Sequence, residues 1–138
     1  MLVDDATFRR LCRARDLLAA GYNASIPLDR AAREACLSPY HFQRLFTRTF
    51  GETPHRFLTR RRMDEARRLL TAGDLPVTEV CLAVGYSSLG TFSSRFAAAT
   101  GQSPSDFRRE SRRWVAPIHG WHVLYMPSCF IQFWLTPP

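Results

Sequence analysis

The chain has 138 residues, enough for one compact domain or for two very small units sharing an element. Its 19 basic residues are all arginine and outnumber 12 acidic ones, for a net charge of +7 and a pI near 10.1, which fits a phosphate-binding surface. Four scattered cysteines (12, 36, 81, 129) without a CxxC pair, and no signal-peptide pattern, imply no disulfide framework and suit reduced thiols in the cytoplasm.

From Asp5 to about Ala20, the apolar residues Phe8, Leu11, Cys12, Leu17 and Leu18 recur at helical spacing, and Gly21 ends the run. Arg9, Arg10, Arg13 and Arg15 take the outer side. This helix is expected to lid the core of a first unit, about 5–52.

Pro27 to about Cys36 reads as a short helix whose Ala31, Ala32 and Ala35 allow close approach. Leu37 turns the chain, and Ser38-Pro39 supplies an N-cap and a first-position proline for a second helix to Phe50. Phe42, Leu45, Phe46 and Phe50 are its expected inward face; Tyr40, Gln43, Arg44, Thr47 and Arg48 are its outward one. Short helix, tight turn and polar-faced second helix form a helix-turn-helix pattern. In a major groove, Gln43 matches adenine and Arg44 guanine through paired hydrogen bonds, while Arg48 is placed for phosphate. Tyr40 and His41 stand near the helix start, where base edges come closest.

Thr53 to Gly73 reads as one long linker helix (53–72) with Thr53 as N-cap, Pro54 at the first position and Gly73 at the C-terminus. Leu58, Met63, Ala66, Leu69 and Leu70 share an apolar arc, with Phe57 to one side; Arg56, Arg60, Arg61, Arg67 and Arg68 cover the remainder.

The second unit, about 76–113, begins with a short helix from Pro76 to Val84 and a turn at Gly85. Ser87-Ser88 caps the next helix, with Phe92, Phe96 and Ala99 expected inward. Its outward face (Leu89, Gly90, Thr91, Ser94, Ala97, Ala98) offers no long hydrogen-bonding side chain except Arg95, which aligns with Leu45 and is expected at the flank. Ser103-Pro104 starts a closing helix to about Arg113 that carries Phe107 inward.

The two units are an internal repeat. At a displacement of 50, Phe42 falls on Phe92, Phe46 on Phe96, Gly51 on Gly101, Pro54 on Pro104 and Phe57 on Phe107. At 49, Pro27 falls on Pro76, Leu28 on Val77 and Ala32 on Cys81. The stretches AREACLSPYHFQRLFTRTFGETP, RRRMDEARRLL and PVTEVCLAVGYSSLGTF, then TGQSPSDFRR, resemble the DNA-binding domain of AraC/XylS-family transcription regulators, from about Asp5 to Arg109. The resemblance implies an all-α fold of about seven helices, two helix-turn-helix units joined by a long linker helix, spanning 1–113. It also implies a recognition helix in each of two successive major grooves, and a bacterial activator that contacts RNA polymerase. Tyr40, Gln43 and Arg44 match first-helix contact positions of the family; Leu89, Gly90, Thr91 and Ser94 match second-helix ones. Ser38, Thr47, Arg48, Ser88 and Arg95 are expected to make phosphate or weaker contacts.

Three departures stand out. Cys36 replaces the usual glycine of the first turn, which must avoid a positive φ or tolerate strain. Ser94 replaces an arginine, and Gly90 weakens the helix start.

Residues 114–138 lack Asp, Glu, Lys and Arg and hold all three tryptophans. They are expected to form a short non-helical tail, hairpin-like if its extended segments 122–125 and 129–135 pair. Its apolar run of about 13 residues falls short of the ~20 needed to span a bilayer. Packing onto the helices is the favoured role, ahead of a dimer patch and of a ligand or metal site from His119, His122 and Cys129. Taken together, the expectation is a cytoplasmic, nucleoid-associated, stand-alone DNA-binding regulator, monomeric on DNA, without cofactor, metal, membrane partner or catalytic residue. The other reading is a protein-interaction module of the same fold whose base reading has weakened.

Overall fold

The computed structural model describes residues 3–24 and 27–115. Those residues form seven helices: α1 Asp5–Ala20, α2 Leu28–Glu34, α3 Pro39–Phe50, α4 Pro54–Ala72, α5 Val77–Ala83, α6 Leu89–Thr100 and α7 Pro104–Val115. The expected fold class is thus observed. The closing helix runs two residues past Arg113, so Trp114 and Val115 belong to it; the rest of the proposed tail lies outside the described residues.

The helix starts are set chemically. Side-chain oxygens of Asp4, Ser38, Thr53, Ser88 and Ser103 each accept from the amide three residues on, at 3.1–3.3 Å. Each satisfies a donor that the first helical turn leaves unpaired. Both helix-turn-helix turns close alike. The amide of Leu37 donates to the Ala32 carbonyl at 2.9 Å, and that of Tyr86 to the Cys81 carbonyl at 3.0 Å. The residue inside each turn is left-handed: Cys36 at φ 56° and Gly85 at φ 90°. Of the two outcomes open to the first turn, the structure takes the strained one.

Two apolar clusters fill the two units. The first gathers Leu11, Ala14, Leu18, the alanines of α2, Phe42, Phe46 and Phe57. The second gathers Met63, Ala66, Leu70, Val80, Cys81, Val84, Phe92 and Phe96. Helix α4 serves both, its first turn closing one core and its second half building the other.

That division corrects the wheel drawn from the sequence, on which Phe57 stood aside: Phe57 is buried, and Leu58 is half-buried. It also extends the repeat. Leu11, Ala14 and Leu18 of α1 sit in the first core as Met63, Ala66 and Leu70 of α4 sit in the second, displaced by 52 residues. Phe57 meets Phe46 edge-on at 5.9 Å, and Phe107 meets Phe96 edge-on at 5.4 Å. Each unit is therefore three helices closed by the first turn of the next.

Smaller expectations fail for reasons of side. Thr7 takes the inward place on α1, where it lies four residues before Leu11, and Phe8 is left 44% exposed. Cys36 is exposed, Leu45 and Phe50 are half-buried, and Ala99 is exposed. Cys81 is buried, and burial raises its thiol pKa.

Candidate nucleic-acid interface

Helix α3 has Phe42 and Phe46 fully buried, which turns Tyr40, Gln43 and Arg44 to the outside. Tyr40 is 70% exposed, and the Arg44 guanidinium lies over its ring at 5.6 Å. The ring holds the cation near the helix surface without neutralising it. His41 is exposed beside a cleft of about 350 Å³ that it shares with Asp4, Thr7, Leu45 and Arg48. Thr47 is half-buried and its hydroxyl donates to the Gln43 carbonyl at 2.8 Å, so its proton is already committed. Ser38 and Ser88 are exposed, with their hydroxyl oxygens engaged as caps.

Helix α6 turns Leu89, Gly90, Thr91 and Ser94 outward. Leu89 is 44% exposed, and a side chain at Gly90 would meet only Ser88 Oγ at 3.9 Å. This face has room but little hydrogen-bonding reach. Arg95 leaves the helix at its flank and lines a groove of about 500 Å³ against α4, with His55, Arg56, Arg60, Arg67 and Ala99. Sequence reading placed Arg56 on the linker without connecting it to Arg95; only the packing of α6 on α4 brings them together.

The arginines divide by partner. Arg9, Arg15, Arg60, Arg67, Arg68 and Arg109 each pair with a carboxylate. The hydrogen bond to Glu52 raises the pKa of Arg60, and the hydrogen bond from Arg68 lowers that of Glu65. Arg44, Arg56 and Arg95 have no carboxylate partner among the described residues. Arginines outside these two places, such as Arg13, Arg30, Arg33 and Arg113, also lack an ion pair among those seen, so the charge is not confined to α3 and the α4–α6 groove, which Asp64 also lines. At both, Arg44, Arg56 and Arg95 would attract an anionic backbone. Among the described residues, no group of His, Cys, Asp and Glu could hold a metal ion, and no helix is long and apolar enough to cross a membrane.

A family model described as a helix-turn-helix domain matches residues 31–110, more than half the chain. A probable AraC family transcriptional regulator from Rhodopseudomonas palustris superposes with a TM-score of 0.68 at 25% identity, over 75% of this chain and 97% of that one. The chain belongs to the AraC-type helix-turn-helix family. The DNA-binding domain of AdpA, solved in complex with a target DNA, is similar to this AraC-type chain with a TM-score of 0.71 at 26% identity. The match covers 75% of this chain and 94% of that one. The XylDLEGF operon transcriptional activator of Pseudomonas putida is 33% identical over 95 residues, 67% of this chain. The chain spans about 30% of that relative's length.

Proposed function

We propose that this AraC-type chain acts as a bacterial transcription regulator that binds duplex DNA sequence-specifically, with α3 and α6 in successive major grooves. The observation that carries the reading is the duplicated unit, each copy presenting the outer face of its third helix to solvent. The 19-residue α4 spans about 28 Å at ~1.5 Å per residue, close to the ~34 Å between major grooves on one face of DNA.

In this reading Gln43 and Arg44 read bases, Tyr40 and His41 contact the edges nearest the start of α3, and Arg48, Arg95 and the capping serines serve the backbone. Leu89 and Thr91 offer α6 apolar contact with thymine methyl groups. The Pseudomonas relative's name, a transcriptional activator, favours activation; an activator of this kind would have RNA polymerase as its partner. The chain acts in the cytoplasm as a monomer on DNA, without cofactor and without catalysis. The bare face of α6 favours a second reading, an interaction module that keeps the fold but reads DNA weakly. Selection from a random duplex pool separates the two. Enrichment of a two-part motif is expected; no enrichment over the starting pool overturns DNA reading and leaves the interaction module.

A further inference from the structure

The loop following α1 reaches out of its own unit. Tyr22 packs against the second apolar cluster, not the first. Its carbonyl accepts from Arg62 Nε at 2.6 Å, and the same guanidinium lies over the Tyr86 ring at 5.3 Å. Tyr86 in turn meets Phe92 of α6 with ring centroids 5.8 Å apart. One residue along the loop, the Asn23 carbonyl lies so close to Gly85 that a Cβ there would sit 2.8 Å from it. The turn that launches α6 is therefore gripped by backbone of the first unit, through one arginine and one close approach.

The two turns show what this contact demands. Cys36 occupies the left-handed position of the first turn and is exposed, so a side chain has space there and only the backbone angle is unfavourable. At the matching position of the second turn a side chain would strike Asn23, and the residue is Gly85.

We propose that Arg62, with Tyr22 and Asn23, is a latch that fixes α6 relative to α3 and so sets the spacing between half-sites that the chain accepts. Arg62 is a positioning residue: it acts through Tyr86 and the turn at Gly85. The inference rests on the DNA-reading function proposed above, but the latch is a property of the free protein and is measured separately. Without it, α4 is the main connection between the units among the described residues, and they can flex about the stretch of that helix between Phe57, in the first core, and Met63, in the second.

Two measurements on the full chain test the proposal. Residual dipolar couplings of the free protein from α1–α3 and from α5–α6 should fit one alignment tensor in the wild type. In Arg62→Ala the second unit's alignment should fall below the first's. The second measurement uses the duplex selected by the wild-type chain, with one base pair added or removed between half-sites. One base pair turns the second half-site by about 34–36°. The wild type should lose about tenfold or more in affinity on respacing, whereas Arg62→Ala should lose less than about threefold relative to its own affinity for the native spacing. That ratio is insensitive to a general loss of folded protein. Tyr86→Leu, which keeps packing on Phe92 while removing the ring under Arg62, should shift both readouts the same way if Arg62→Ala fails to fold. A single shared tensor in the folded variants overturns the latch, as does an unchanged respacing penalty. A wild type that selects no duplex defeats the DNA-reading function, and the dipolar couplings then decide the latch alone.

Discussion

Arg44 and Gln43 are exposed on α3 with no salt bridge to break, so their replacement should register in DNA binding and not in folding. Arg44→Ala and Gln43→Ala are each expected to weaken binding by about 1–3 kcal/mol and to relax preference at one or two base pairs. Ser94→Ala should change binding by less than about 0.5 kcal/mol. Titrations against single-base variants of the selected site check this; a larger effect at Ser94 than at Arg44 would reverse the division of labour between units. The two turn residues give a second contrast. Cys36→Gly relieves a left-handed angle and should stabilise the chain by about 1 kcal/mol in denaturant melts. Gly85→Ala adds a collision with Asn23 to the same backbone strain and should destabilise by at least about 2 kcal/mol. Equal and opposite changes would mean that Asn23 gives way freely.

At the scale of elements, α4 joins two cores, and damage to it should be local to the half that is struck. Phe57 is 7% exposed and touches Phe46, so Phe57→Ala should cost about 3–5 kcal/mol. Hydrogen exchange should rise first in α1–α3, with α5 and α6 retaining protection longer. Uniform loss of protection would show that the units do not unfold separately. The elements themselves were legible because caps, prolines and glycines punctuate this sequence at nearly every boundary. The repeat was legible where phenylalanines carried it. Its first helix was missed because Leu11, Ala14 and Leu18 against Met63, Ala66 and Leu70 are common residue types at a different displacement. The inward side of a helix was the weak point: Thr7 buried beside exposed Phe8, and Phe57 buried where the wheel favoured Leu58, are settled by the neighbouring helix and not by the helix's own pattern.

At the scale of the molecule, a monomer should protect roughly 20 base pairs, since two helices a turn of DNA apart each cover several. Footprinting at concentrations where sedimentation shows a monomer checks this; protection confined to half a turn, or binding that appears only with dimer, would contradict it. Each arginine that contacts phosphate should flatten the salt dependence by about one when replaced by alanine, and Arg95 and Arg56 are the ones to try. The candidate readers were legible because they share one helix face, whereas the Arg56–Arg95 groove and the hold of Arg62 on Tyr22 join residues 39 and 40 positions apart and leave no periodic trace. The helix that opens the second unit also bears on growth of the fold. Helix α7 starts with the same Ser/Thr-Pro-x-x-Phe turn as α4 and so offers the seed of a third unit. The seed is sterile: where α4 carries Met63 to begin the next core, α7 carries exposed Arg113, and its Arg108 and Arg112 side chains donate back to the Gly73 carbonyl. Among the described residues, the charged side chains of α7 thus stand where a third core would need apolar ones, much as polar end caps close solenoid proteins.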